Sequence, residues 1–539
     1  MNSSTIFEVF GQIVFRFTRS VTEHYSPEEP EFTTEAFGYD PFLSTGREWY
    51  YEPVDELIYQ EYSDRQTTNG VFSVWNNIHA RVTNAFLPDD SEETRADQNV
   101  EDEEMAWKRL RPSFAQTVCK SMYIGALISF PAAVFIAMIY LLVSLVCYKT
   151  LLHCQNYSKE FIPIRVQWVK TISDAISSFF YYFWFFGIVL LLFRPYQLKG
   201  MRKILFLILF VAYCLDASYR LVLVKMGVCY YLASQAYQTP LYSFFFLSVC
   251  LQIYVVGKQF CGRSIKMLLV LMCKMSLPFF LPIVFGIFLS DVIYGIYKTK
   301  TNEVKLLIAL FAPAIMMAVK IVSRFCVQRL WNITHPGYSY VLLAPLYYGS
   351  AVVLRALQGD LDNLPSIVIL GVLHGVAEVV ERSVMVVVDH TCHMLWRRRL
   401  APWGSFRTPR RERLMADIAI ISMLYESTAV ISVNGLFYLY EYVFSENDSV
   451  INLLKTFARY TSVQQVIEWF FTSVSLAIET RYQNMAVMAV WRRKWKRHIL
   501  VALVNTVPLA VWNSVCTLII LRARYLSIVV KQPCKMPFS

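Results

Sequence analysis

The sequence lacks the short motifs of common enzyme sites. It contains no H-E-x-x-H pattern, no G-x-S-x-G nucleophile elbow and no glycine loop that would cradle a nucleotide. It also lacks a soluble basic domain, which argues against a nucleic-acid partner. No cofactor is indicated, and an enzyme is the less favoured class of protein.

Paired cysteines are lacking as well. The 12 cysteines include no C-x-x-C pair, and most lie in or beside predicted helices, so neither a disulfide framework nor a zinc site is predicted. The extreme N-terminus does not resemble a signal peptide, because Glu8 interrupts its apolar run. Four cysteines near predicted membrane boundaries are candidates for acylation: Cys147, Cys154, Cys261 and Cys392.

Long hydrophobic runs, in contrast, dominate the chain. Of the 539 residues, 56% are hydrophobic, and the runs approach the roughly 20 residues that a bilayer requires. The predicted fold is therefore all-α, a polytopic membrane protein of about eleven transmembrane helices. The predicted spans are 122–147, 172–193, 203–224, 240–257, 270–297, 304–323, 339–357, 365–394, 414–440, 462–490 and 499–521.

Charge divides the chain into two parts. Residues 1–105 hold 22 acidic and 6 basic side chains, or −16, and residues 106–539 hold 18 and 45, or +27. We predict an acidic, partly disordered cytoplasmic region over 1–105, with amphipathic helices at 5–17 and 71–86, followed by a helical bundle over 106–539. The acidic region lies against a basic surface or is solvated independently, and both arrangements fit the charges.

Basic loops predict the orientation of the bundle. If eleven spans alternate, the clusters beginning at Lys108, Arg194, Lys258, Arg397 and Arg492 share one side, which is then cytoplasmic. The sequons at Asn156 and Asn447 fall on the opposite side and are predicted glycosylation sites. The basic 148–171 loop and the basic C-terminal tail also fall outside, against the tendency. The host membrane, plasma membrane or endomembrane, is not distinguished.

The stretch from Pro365 to Trp396 is apolar enough to cross a bilayer but carries many ionisable residues. At helical spacing, His374, Glu378, Glu381, Arg382, Asp389 and His393 share one side. Ionisable groups at this depth usually face the bundle interior or an aqueous path. A simpler alternative is a local pair between Glu378 and Arg382 at i and i+4.

Two later spans repeat this polar face. Glu426 and Asn434 share a face of the ninth span, and Glu468 and Glu479 lie on one stripe of the tenth. Glu378 and Glu426 lie at similar depth, so we expect them to meet near the bilayer midplane.

These residues support three hypotheses. The leading one is a transporter or channel for a cation, a proton-coupled solute or a lipid. The second is a receptor or scaffold in which polar residues only join helices. The third is a lipid-modifying enzyme that uses His374 as a base. The predicted path consists of His374, Glu378, Glu381, Arg382, Asp389, Glu426, Asn434, Glu468 and Glu479, without a metal.

The loop from Trp396 to Arg413 is rich in arginine. Tryptophan followed by basic residues is typical of interfacial anchoring, but the density of arginine exceeds what anchoring requires. We expect membrane lipids as partners, with anionic headgroups on Arg397, Arg398, Arg399, Arg410 and Arg411.

Overall fold

The computed structural model describes residues 114–529 with gaps, together with Cys534 and Met536. The gaps are 153, 155–161, 194–196, 228–234, 262–263, 289–301, 331–332, 335, 360–363, 398–408, 445–448, 482–484 and 486. The predicted N-terminal region 1–105 and both sequon asparagines, Asn156 and Asn447, lie outside the described residues. So do Arg398, Arg399 and the side chains of Arg397, Arg410 and Arg411.

Within the described ranges the protein is all-α, without a strand. A 3-10 helix, Pro336–Leu342, precedes α7. The helices are α1 Phe114–Leu152, α2 Ile164–Leu192, α3 Arg202–Lys225, α4 Gln235–Cys261, α5 Ile265–Phe288, α6 Asn302–Gln328, α7 Ala344–Gly359, α8 Leu364–Arg397, α9 Pro409–Phe444, α10 Val450–Arg481 and α11 Val487–Val529.

Nine helices of the described part are long and apolar enough to cross a membrane. They identify an integral, multi-pass membrane protein. Each predicted span overlaps one of the eleven α-helices, but the two others do not meet that standard: α7 has 16 residues, and α10 is rich in polar residues. The count of eleven spans therefore stays a prediction.

Several predicted boundaries were wrong. Helix α10 begins at Val450, twelve residues before the predicted start at 462, and the basic cluster from Arg492 to Arg497 lies inside α11 instead of in a loop. Helix α5 continues through Pro278 and Pro282 without a break. Polar and basic residues shortened the apolar runs at these helix ends, whereas the helices themselves extend past the apolar core.

The helices form a ring around α7 and α9. Neighbours around the ring pack in the order α2, α3, α4, α5, α6, α8, α10 and α1, and α11 closes the gap between α1 and α2. Helix α9 contacts α1, α7, α10 and α11, so 89% of its most apolar 18-residue segment is buried, compared with 22% in α3. An apolar outer ring suits lipid contact, and a buried central helix can carry polar residues.

Close packing of α8 and α10 depends on Gly375. A Cβ atom built on Gly375 would overlap the ring of Phe471 on α10. The pair Val379 and Ile478 continues this contact as a small apolar cluster. The polar faces of α8 and α10 therefore meet beside a tight apolar seam.

A disulfide joins the end of α1 to the C-terminal tail. Cys154 bonds to Cys534, 380 residues later. The prediction that no disulfide is present was wrong, and Cys154 is not free for acylation. Its partner lies too far along the chain for any local spacing to indicate the pair.

Candidate functional site

The bundle interior contains a cluster of charged side chains from five helices. Ion pairs within 4 Å connect ten residues of α6, α7, α8, α9 and α10. Its four cations are Lys320, Arg324, Arg355 and Arg382, and its six carboxylates are Glu378, Glu381, Asp389, Glu426, Glu468 and Glu479. The four members on α8 are spaced by three, one and seven residues, which places them on one side of that helix.

Asp389 lies in one closed part of the cluster. Its carboxylate accepts hydrogen bonds from Arg324 at 3.3 and 3.4 Å and from Gln328 at 2.6 Å. Arg324 also donates to the Tyr347 hydroxyl at 3.3 Å. The Asp389 side chain is 3% exposed. This arrangement ties α6 to α7 and α8, and it compensates the charge that it buries.

Arg382 and Glu479 form a second closed pair. Arg382 Nε and Nη2 donate to the two oxygens of Glu479 at 2.8 and 2.9 Å, which is the bidentate geometry of a strong charge-assisted pair. The Glu479 side chain is 1% exposed. The main partner of Arg382 is thus on α10, and the predicted local pair with Glu378 is a secondary contact of 3.8 Å.

Arg355 on α7 forms ion pairs with two carboxylates. Its Nη2 lies 2.6 Å from Glu468 on α10 and 3.6 Å from Glu426 on α9, and its Nη1 donates to Gln358 at 3.0 Å. Since the shorter contact is the stronger, Glu468 is the main partner of Arg355, through its Oε2 atom. Glu426 receives only a longer contact.

Glu381 and Glu378 have partners on different helices. Glu381 accepts a hydrogen bond from Lys320 of α6 at 3.1 Å. Glu378 accepts one from the Ser422 hydroxyl of α9 at 3.2 Å. Glu378 and Glu426 lie close enough for their charges to interact, and their meeting near the bilayer midplane stays a prediction.

Residual exposure distinguishes two groups of carboxylates. The side chains of Glu378, Glu381 and Glu426 retain 14%, 13% and 12% exposure. Those of Asp389, Glu468 and Glu479 retain 1–3%. The cluster is therefore sealed at some carboxylates and open at others.

The exposed surface of Glu378 and Glu426 faces the interior. On α8, Val376 and Val380 are 46% and 43% exposed, and Glu378 lies about 160° around the helix from both of them. On α9, the residues that flank Glu426, Tyr425 and Ser427, are completely buried. Neither carboxylate therefore lies on the lipid-facing side of its helix.

Among the described residues, His374 and Asn434 take no part in these ion pairs. His374 Nε2 is 3.0 Å from the Ala309 carbonyl of α6, which can only accept, so this nitrogen donates. Asn434 donates to Thr461 and Gln464 of α10, at 3.4 Å each. Asn434 lies eight residues, or roughly 12 Å, along α9 from Glu426. The structure thus brings together seven of the nine predicted path residues. The side chain of His393 lies outside the described residues.

Sequence analysis missed the cations of α6. Lys320, Arg324 and Gln328 recur every four residues and form a polar stripe that faces α8. The predicted sixth span ended at 323, before this stripe was complete. A search for polar residues at i, i+4 and i+8 beyond the apolar run would have found it.

A second missed cluster joins the beginnings of α9 and α11. Asp417, which is fully buried, accepts from Arg413 at 3.0 Å and from His498 Nε2 at 3.0 Å. The His498 ring stacks on Tyr340 of the 3-10 helix, with centroids 4.8 Å apart. Arg413 and His498 were each too near a predicted span end to be taken as interior residues.

The residues present do not form a metal centre in the described part of the chain. No group of three or more His, Cys, Asp or Glu side chains there could hold a metal ion.

The fold and this interior define the class of the protein, a multi-pass helical membrane protein with a charged core. No family model, curated protein or solved structure matches the chain. The geometry of the charged core is therefore the basis for any assignment of function.

Proposed function

We propose that this protein is a transporter or channel for a cation or a proton-coupled solute, with a path that includes Glu378, Glu381 and Glu426. In this proposal the three carboxylates line a path between α8 and α9. The remaining carboxylates, Asp389, Glu468 and Glu479, hold the helices that surround this path.

The observation that carries the proposal is the interior exposure of Glu378 and Glu426. Ionisable side chains inside a membrane usually pair with one another or face a hydrated path. Both carboxylates combine 12–14% exposure with a position away from lipid, and each has its nearest cation 3.6–3.8 Å away. A purely adhesive role would favour closed pairs such as that of Arg382 with Glu479.

The charge balance favours a cationic substrate or coupling ion. Six carboxylates and four cations give the cluster a formal charge of 4 − 6, or −2, when all are ionised. In an environment of low dielectric constant, this excess attracts a cation and repels an anion.

Flux measurements in reconstituted vesicles test this function. The full chain is assayed with a panel of monovalent cations and with a pH gradient, beside Glu378→Gln and Glu426→Gln. Glu303→Gln, which changes an exposed carboxylate in the first turn of α6, is the matched control. We expect the two interior variants to lose flux and the control to retain it. Equal flux in all four proteins would reject the proposed path.

A receptor or scaffold is the competing function, and the closed pairs favour it. Two ion pairs join helices and are almost fully buried, Arg382 with Glu479 and Arg324 with Asp389. This function predicts that apolar replacement of Glu378 and Glu426 changes stability without changing permeability. The lipid-modifying enzyme is less well supported, because His374 Nε2 is occupied by the Ala309 carbonyl.

We further propose that all eleven helices cross the membrane. Gly337 of the 3-10 helix that precedes α7 lies near Arg413, and Gly359 at the end of α7 lies near Phe437, so the 3-10 helix and α7 together run along α9. These two α9 residues are 24 positions apart, or roughly 36 Å, which exceeds the ~30 Å hydrocarbon core. Helix α10 has 32 residues and packs along α1 and α8.

The disulfide supports the same topology by parity. Disulfides persist in oxidising compartments, so Cys154 and Cys534 share the non-cytoplasmic side. An even number of crossings must then separate them. If α7 and α10 both cross, ten spans separate the cysteines, and if neither crosses, eight do; parity therefore excludes only the case in which one of them crosses alone.

This topology puts the C-terminus and both sequons, Asn156 and Asn447, outside, and the arginine-rich 398–408 loop inside. In intact cells, we expect a C-terminal epitope to be accessible and Asn156→Gln to lose a glycan. A C-terminal epitope that is accessible only after permeabilisation would refute the topology.

At the cytoplasmic face we propose that Arg397, Arg398, Arg399, Arg410 and Arg411 bind anionic headgroups. Glutamine substitution of all five should weaken binding of the purified chain to soluble phosphatidylserine and leave phosphatidylcholine binding unchanged. Equal phosphatidylserine binding by both proteins would contradict this assignment.

A further inference from the structure

The interior stripe of α10 between its two ion pairs carries hydroxyl groups. Glu468 binds Arg355 at one end, and Glu479 binds Arg382 at the other. Thr472 and Ser475 lie between them, at spacings of four, three and four residues. All four side chains therefore fall within about 60° of one another around the helix, toward the bundle interior.

These hydroxyl groups have no hydrogen-bond partner in the part of the chain that the structure describes. The Thr472 and Ser475 side chains are 1% and 3% exposed, and neither hydroxyl oxygen has a hydrogen-bond partner among the described residues. Nearby Ser473 instead donates to the Trp469 carbonyl of its own helix at 2.7 Å, the usual solution for a helical hydroxyl. Buried polar groups without a partner are rare and indicate an unseen ligand or water.

Glu378 is the acid that shares this compartment. On α8, Gly375 packs against Phe471 of α10 and Arg382 binds Glu479, so Glu378, which lies between these two positions, is at the level of Thr472 and Ser475. It accepts one neutral hydrogen bond from Ser422. Arg382 Nη1 lies 3.8 Å away, too far for a hydrogen bond, because the Nε and Nη2 donors of Arg382 are engaged by Glu479.

The local charge remains negative despite the two guanidinium groups. Arg355 and Arg382 face four carboxylates, those of Glu378, Glu426, Glu468 and Glu479, for a formal balance of 2 − 4, or −2. The available oxygens are carboxylate and hydroxyl oxygens, which are hard ligands. In the described residues the carboxylates are not grouped to chelate a metal through three acidic side chains, which disfavours a divalent cation.

From this arrangement we infer that Glu378, Thr472 and Ser475 form a binding site for a small monovalent cation, sodium or hydronium. The inference rests on the proposed transport function and names the class of its coupling ion. The carboxylate supplies the charge, and the two hydroxyl oxygens supply neutral ligands.

Thermal unfolding of the purified full chain in detergent tests the site. Sodium is exchanged for N-methyl-D-glucamine at constant chloride, and pH is varied separately in the absence of sodium. We expect a saturable stabilisation by sodium or, for hydronium, by acidification near neutral pH. Glu378→Gln should remove it, and the double variant Thr472→Val, Ser475→Ala should weaken the apparent affinity about tenfold, as loss of hydrogen-bonding ligands does.

Ser473→Ala is the matched control, because it removes a hydroxyl of the same helix that is already bonded, and it should leave the stabilisation unchanged. If Glu378→Gln does not fold, the double variant carries the test alone. A cation effect that persists in these variants, or no effect of either cation on the native chain, would overturn the site.

Binding and flux are separate readouts. Binding without flux would reject only the transport function, and flux without binding would reject only this site.

Discussion

Two groups of carboxylates lie within one charged core, and they differ in how their charge is compensated. Glu468 and Glu479 accept charge-assisted hydrogen bonds of 2.6–2.9 Å and are almost fully buried. Glu378 and Glu426 have their nearest cation at 3.6–3.8 Å and retain 12–14% exposure. The former stabilise the contact of α10 with α7 and α8, and the latter line the proposed path between α8 and α9.

This difference does not follow from helical spacing. Glu378 and Arg382 lie one turn apart on α8, yet Arg382 extends to Glu479 of α10 and leaves Glu378 incompletely neutralised. The decisive factor is which neighbouring helix supplies the counter-ion. Closed pairs are thus expected to determine stability, and open carboxylates to determine permeation.

The largest expected effect comes from the most closed pair. Arg382→Ala leaves Glu479 buried without its counter-ion, so we expect a loss of about 3–5 kcal/mol in the free energy of unfolding. Denaturant or thermal unfolding in mixed micelles measures it.

The apolar pair Arg382→Met with Glu479→Leu is the control. It removes both charges together and should recover most of the lost stability. If the double variant is as unstable as Arg382→Ala, packing and not charge explains the loss.

An open carboxylate should give the opposite pattern. For Glu426→Gln we expect stability to change by less than about 1 kcal/mol, since this carboxylate lacks a short ion pair. Flux should fall about tenfold, equivalent to ~1.4 kcal/mol in the barrier. Glu468 binds the same guanidinium group, that of Arg355. For Glu468→Gln we expect a larger loss of stability than for Glu426→Gln, and a smaller loss of flux. Equal stability losses in the two variants would remove the distinction between open and closed carboxylates.

The smallest effect concerns the neutral partner of Glu378. Ser422→Ala removes one interhelical hydrogen bond, which in a membrane contributes about 0.6 kcal/mol. We expect a stability change of that size, measured by unfolding curves, with flux close to that of the native chain. A loss of more than about 2 kcal/mol would contradict a role limited to one neutral hydrogen bond.

The sequence was sufficient to predict the polar faces of α8, α9 and α10. Helical periodicity placed Glu378 with Arg382 on one side of α8. Such regularities depend only on the geometry of a single helix.

Contacts between helices distant in sequence were beyond prediction. The Lys320 and Arg324 partners lie on α6, where the apolar run ended before the polar stripe, and Cys534 lies 380 residues from Cys154. Neither pairing leaves a periodic signal in one segment. His374 is a further example. Periodicity placed it on the polar side of α8, but did not indicate that its ring donates a hydrogen bond to a carbonyl of α6.

The crosslink between Cys154 and Cys534 also reports on biosynthesis. Cys154 follows α1, whereas its partner follows α11, so this bond can form only after the ribosome has delivered the chain through Cys534. Intermediates of insertion that end before Cys534 lack the bond. Its formation therefore marks the point at which all eleven described helices have been synthesised, which thiol-specific labelling during synthesis can follow.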